Sequence, residues 1–117
     1  MKRTRLLKDG QPLIECVEVA ESLADRMRGL LGRASLGPNR AMHLVPCGSI
    51  HTFGMQFTLD AFFLSSELEV VRVVRGLTAG RLAWGGMNAH STLEVEAGWL
   101  APDALKVGDR VAFAEGE

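Results

Sequence analysis

Apolar and polar positions along this chain change their period several times, and each change marks an element. Residues 4–8 and 12–19 flank Asp9-Gly10, a dipeptide favoured in two-residue turns, and predict a β-hairpin. Its second arm alternates imperfectly. Leu13, Val17 and Val19 share one face with Glu15, while Ile14 and Cys16 share the other with Glu18, so a bulge or burial of both faces is expected. Leu23, Met27, Leu30 and Leu31 then recur at i, i+4, i+7 and i+8, the stripe of an amphipathic helix. Ser22 is placed to cap it, with Asp25 three residues on, and Gly32 is placed to stop it. Gly29, inside that helix, suggests close approach of another backbone. Residues 34–40 read as a loop and residues 42–45 as a strand ending at Pro46, with Cys47-Gly48-Ser49 as turn material.

From Ile50 the period is two, with His51, Phe53, Met55 and Phe57 on one side and Ile50, Thr52, Gly54 and Gln56 on the other. Residues 59–64 are almost continuously apolar, as in a strand buried on both faces. Ser65-Ser66-Glu67 turns the chain, and residues 70–74 supply strong strand formers, near enough in sequence to make a meander. Residues 76–90 hold four glycines, Trp84 and Met87 with little alternation, and read as a long loop of the kind that carries function. Residues 92–97 alternate again, with Leu93, Val95 and Ala97 facing one way. Residues 99–105 suit a short helical turn, 107–109 a turn and 110–114 a last strand. The sum is one domain over residues 1–117: α+β, mainly antiparallel β, a curled or barrel-like sheet of about seven short strands with one helix in the N-terminal half.

Composition narrows this picture without redirecting it. Thirteen basic and fourteen acidic residues leave a formal charge of -1, so no nucleic acid is expected as a partner. No apolar run approaches the roughly 20 residues of a membrane span, and the basic start lacks the apolar core of a signal peptide, which together predict a cytoplasmic protein. In that compartment Cys16 and Cys47 are expected to be free thiols used as small apolar residues.

Residues 47–64 concentrate four of the five phenylalanines, one of three histidines and one of two cysteines around a single charged side chain, Asp60. Within it, Ile-His-Thr-Phe-Gly-Met-Gln-Phe-Thr-Leu-Asp-Ala-Phe-Phe-Leu at 50–64 resembles the central motif of the domain of unknown function 192 family. The run Arg-Met-Arg-Gly-Leu-Leu-Gly-Arg at 26–33 resembles its helix signature. Thr-Leu-Glu-Val-Glu-Ala-Gly at 92–98 and Val-Gly-Asp at 107–109 resemble its C-terminal part. Two positions depart from the pattern: Thr58 and Glu96 stand where the family usually has proline, which bears on backbone stiffness at strand ends. The resemblance implies a compact β-rich domain and no particular reaction.

Candidate chemistry must therefore be sought in side chains. An aspartate among Leu59, Ala61, Phe62 and Phe63 has to be solvated, paired or hydrogen-bonded, and Arg33, Arg72, Arg75 and Arg81 are possible partners. The competing reading makes Asp60 a ligand-facing acid beside His51. Cys47 and His51, four apart, could form a nucleophile–base pair or, with His43, His90, Asp60 and Cys16, contribute to a metal site. The paired spacings of structural zinc sites are absent, and neither a metal nor any other cofactor is expected. Trp84 between small residues could dock a partner or fold back as a lid. The reading carried forward is a non-enzymatic binding or adaptor module for a protein or small-molecule ligand. Its face comprises His51, Thr52, Phe53, Asp60 and Trp84, from the 47–60 segment and the 76–90 loop, with no catalytic residue assigned. The alternative is a small hydrolytic or metal-assisted enzyme using His51 and Asp60 with Cys47.

Overall fold

A computed structural model describes residues 1–115. Among them, nine strands and one helix run in the order β1 (Lys2–Lys8), β2 (Gln11–Ala20), α1 (Leu23–Arg28), β3 (Arg40–Leu44), β4 (Ser49–His51), β5 (Leu59–Leu64), β6 (Val70–Leu77), β7 (Leu82–Trp84), β8 (Ser91–Glu96) and β9 (Val111–Glu115). Seven strands form one curled sheet in the order β6-β5-β8-β3-β2-β1-β9, and β4 pairs with β7 in a separate ribbon. This is the expected class, α+β with a mainly antiparallel, half-barrel sheet. The sheet is mixed, since β2 and β3 run parallel, which their connection through α1 permits. The two edges meet at one end: Val70 N donates to Asp109 O (2.8 Å), Gly108 N to Val70 O (2.8 Å) and Val111 N to Leu68 O (3.0 Å). Such bonds satisfy groups that an open edge would expose.

The hairpin forms as its turn dictates, with Asp9 and Gly10 both at positive φ. The irregular second arm is a bulge. Thr4 pairs with Val17 and Leu6 with Ile14, so two steps on β1 face three on β2, and Ile14 and Val17 both reach the core. The freed amides are met by Asn39, whose Oδ1 accepts from Glu15 N (2.9 Å) and whose carbonyl accepts from Cys16 N (3.2 Å).

Three expectations give way to the structure. The helix is capped by Ser22, whose Oγ accepts from Asp25 N (3.0 Å), but it ends at Gly29 (φ 49°) rather than Gly32. No neighbouring backbone crowds Gly29; its left-handed φ stops the helix. The apolar stripe is consequently split: Leu30 is buried, whereas Leu23 and Met27 face solvent. Second, the alternation beginning at Ile50 is not one strand. Pairing ends at His51, and the chain turns at Phe53 and Gly54, because Thr52 bonds to the 78–81 segment instead of continuing a ladder. The meander thus reduces to β5 and β6. Third, the 76–90 segment contains a strand, β7; residues 99–105 do make a turn, with Ala104 N donating to Ala101 O (3.0 Å).

Burial of β5 on both faces creates two cores. Phe62 and Leu64 fill the concave side with Leu6, Ile14, Val70 and Leu93. Ala61 and Phe63 face the opposite side with Ile50, Leu59 and Leu77, where β4 and the neighbouring segments form a second layer. Cys47, Met55 and Phe57 connect this cluster to Met42, Leu44 and Leu30. Cys47 and Cys16 are free thiols.

Gly85 is where the second layer presses closest. A Cβ there would overlap the ring of Phe63 and the Cβ of Ala89. Gly85→Ala is therefore expected to cost about 1–3 kcal/mol by overpacking, read as a lowered denaturation midpoint at unchanged m. A variant as stable as the parent would show that the 83–89 segment is not packed in this way.

Candidate functional site

The β4–β7 ribbon sets the geometry. Ser49 lies opposite Trp84, Ile50 opposite Ala83 and His51 opposite Leu82. Side chains alternate along both strands. Ile50 is accordingly buried, while Ser49, His51, Leu82 and Trp84 share the outward face. Leu82 is 76% and Trp84 58% exposed, and Phe53, 53% exposed, stacks on His51 with ring centroids 5.5 Å apart. His51, Phe53 and Trp84 are thus brought together as a surface, joined by Leu82, which the sequence had not singled out.

Thr52 and Asp60 lie elsewhere, in the framework. Thr52 is 1% exposed; its hydroxyl donates to Thr78 O (2.6 Å) and accepts from Arg81 N (2.8 Å). Its backbone completes the staple, with Thr52 N donating to Arg81 O and Gly80 N to Thr52 O. Asp60 accepts from Gly76 N (2.8 Å), Gly98 N (3.1 Å) and Arg75 Nη1 (3.2 Å), and Arg75 also donates to the carbonyls of Leu100 and Ala101. Of the four candidate arginines it is Arg75 that pairs with it, while Arg33 pairs with Glu18. Neither Thr52 nor Asp60 lines a concavity shared with His51.

Behind β4 lies a second feature that the sequence reading missed. A cavity of about 90 Å³ runs between residues 26–31 and β4, and reaches Leu44, Cys47, Met55 and Glu94. Along the outer face of β8 three polar residues stand in a row. Thr92 Oγ1 donates to Cys47 O (2.9 Å), and Glu96 Oε1 accepts from Leu36 N (2.8 Å) and Gly37 N (3.0 Å). Both tie covering segments to the sheet. Glu94, between them, is 5% exposed and has no hydrogen bond or ion pair among the described residues. Burial pushes its carboxyl up to about 7. Glu94 stood within a strand whose alternate residues were read as apolar, and only the fold buries residues 91–95 on both faces.

The remaining titratable groups do not assemble a nucleophile. Cys47 Sγ donates to Ser49 O (3.1 Å), and burial raises its thiol, which disfavours the thiolate. His43 is buried, contacts Ser91 Oγ (2.8 Å) and stacks on Phe113, and desolvation drives it down to about 4. Among the described residues, no three His, Cys, Asp or Glu side chains are placed to hold a metal ion.

Fold and site together define a small β-rich domain with an exposed aromatic ribbon and a buried, unpaired acid beneath it. Residues 4–113 match the family signature of domain of unknown function 192 (DUF192), described as Uncharacterized ACR, and the chain belongs to that family. No curated protein matches it in sequence. Among solved structures it is similar to a protein of unknown function from Novosphingobium aromaticivorans, with TM-score 0.81 and 19% identity over 94% of this chain and 83% of that one. A proposed transcription regulator from Sinorhizobium meliloti is also similar, with TM-score 0.82 and 20% identity over 96% of this chain and 92% of that one. At these identities the likeness shows the fold. Among the described residues no helix is long and apolar enough to cross a membrane.

The raised carboxyl makes a pH prediction. Glu94 keeps its proton in the folded state up to about 7 and loses it near 4.5 when unfolded, so its ionisation removes stability as pH rises through that window. His43 acts oppositely: unfolded it takes up a proton below 6.5, folded only near 4, so stability is lost as pH falls through that range. The difference between Glu94→Gln and the parent isolates the acid. That difference should grow from about pH 4.5 to 7 and level off near 3 kcal/mol in favour of the variant, at about 1.4 kcal/mol per pH unit. A difference independent of pH in denaturation curves would contradict an unpaired buried Glu94.

Proposed function

We propose that this chain is a non-enzymatic binding module whose recognition face comprises the 47–60 segment and the 76–90 loop, with an apolar patch on a partner protein as its occupant. One observation carries the reading: Leu82 and Trp84 turn outward on a ribbon beside His51 and Phe53. Large aromatic and aliphatic side chains on a rigid element are the composition of binding hot spots, and exposing them otherwise costs solubility. Thr52 contributes to the face indirectly, because its bonds to residues 78–81 hold β7 in register with β4. Asp60 serves likewise as a framework acid. The formal charge of -1 favours a protein over a nucleic-acid partner. A cytoplasmic setting suits two free cysteines.

The enzymatic alternative finds less support, since Cys47 is hydrogen-bonded to a carbonyl and held as a thiol. The test uses photocrosslinking from position 84, with position 107 on an exposed turn as control, followed by purification of the crosslinked protein. Expected are selective crosslinking from position 84 and at least a tenfold weaker rebinding, about 1.4 kcal/mol, to a Leu82→Ala, Trp84→Ala variant whose stability lies within about 0.5 kcal/mol of the parent. Equal crosslinking from both positions, or rebinding unaffected by the double substitution, would overturn the reading.

A further inference from the structure

The geometry points to the cavity between α1 and β4 as a binding site for a primary ammonium group on a short alkyl stem, with Glu94 as its anion. This site lies behind the ribbon, meets its outward face at Ser49 and His51, and does not rest on the docking role proposed for that face. Thr92 and Glu96, the neighbours of Glu94 on the same strand face, each satisfy backbone groups of the covering layer, so the row is built for pairing and its middle member is left unused. Glu94 is 5% exposed and lines the cavity. Ionising Glu94 there without donors from the protein is costly, and a ligand that brings N–H groups and a positive charge offsets that cost.

The rest of the lining selects the ligand's shape. Leu30, Leu31, Leu44, Ile50 and Met55 line the same cavity as Glu94 and suit a methylene stem. The cavity, about 90 Å³, has room for a short chain rather than a cofactor. The charged and titratable groups sharing the cavity are Arg26 and Arg28 from α1, Cys47 before β4 and His51 on it. Arg26 is engaged with the carbonyls of Glu21 (3.3 Å) and Pro46 (3.1 Å). Arg28 and His51 are exposed at the rim, where solvent and salt screen them. Cys47 stays a neutral thiol. Glu94 is therefore the one anion that a cation entering the cavity meets.

Binding of an ammonium selects the ionised acid, so affinity is linked to a proton. The experiment titrates the intact protein and Glu94→Gln with n-butylammonium chloride and with n-butanol, the uncharged analogue of the same length, following the methyl signals of Leu30, Leu44 and Met55 by NMR. An alkylammonium holds its charge to about pH 10, so pH dependence reports the protein. Expected is saturable binding of n-butylammonium that tightens about tenfold between about pH 6 and 8, as the ionised fraction of Glu94 rises. Glu94→Gln should abolish the pH dependence and weaken binding at least tenfold, while n-butanol binds no better to the parent than to the variant. Absence of saturation, equal affinity for the alcohol, or binding retained in Glu94→Gln would each overturn the assignment. Leu82→Ala with Trp84→Ala should leave this titration unchanged, which separates its failure from that of the docking face.

Discussion

The carboxylate of Asp60 is the constraint on which the arrangement of strands depends. It sits on β5 and binds the amide of Gly76, within β6, and that of Gly98, just beyond β8. Through Arg75 it reaches the carbonyls of residues 100 and 101. Three adjacent strands and the connection to β9 thus converge on one charge. A carboxylate buried among Leu59, Ala61 and Phe62 would be untenable alone, yet two amides and a guanidinium satisfy most of its acceptor sites. The guanidinium also lies over the Phe62 ring, 5.3 Å from its centroid, so the same cation braces the concave core. With this end of the sheet fixed, the chain leaving β6 passes over Phe63 at Gly85 and sets β7 against β4.

Glu94 uses similar chemistry to the opposite end. Both acids lie in strands buried on both faces, and both are almost inaccessible. Asp60 is surrounded by donors, whereas Glu94 hydrogen-bonds none of the described residues and opens on a cavity that it shares with apolar side chains and, at the rim, Arg28 and His51. Stability alone gives no reason to keep an unpaired acid in such a place. The outer layer, α1 and the ribbon, encloses that cavity and also carries the exposed apolar residues, so the proposed docking face and the buried acid lie in one half of the molecule.

The elements that were legible in the sequence are those whose pattern is local. Asp9-Gly10 announced the hairpin, Ser22 the helix start, and the apolar run 59–64 the central strand. Asp60 could be identified as needing partners from its neighbours alone, and Arg75 was among those named. Less legible was anything that depends on a distant segment. Residues 50–57 alternate like a strand, but Thr52 is captured by residues 78–81 and the chain turns. The apolar stripe of α1 was truncated by Gly29, whose backbone angle outweighs the periodicity of Leu30 and Leu31. Glu94 escaped notice because a charged residue between Leu93 and Val95 has the ordinary signature of a solvent-facing position. Only the layer folded over it, from residues 26–31 and 47–51, makes it buried.

The fold contains one buried acid that holds it together, Asp60, and one that its packing leaves unpaired, Glu94, which we propose is kept for binding. Equilibrium denaturation of Asp60→Asn and Glu94→Gln, side by side at about pH 8, tests this directly. Opposite signs are expected: Asp60→Asn loses on the order of 1–3 kcal/mol as its amide and guanidinium partners are stranded, while Glu94→Gln is more stable than the parent. Changes of the same sign in both variants would contradict it.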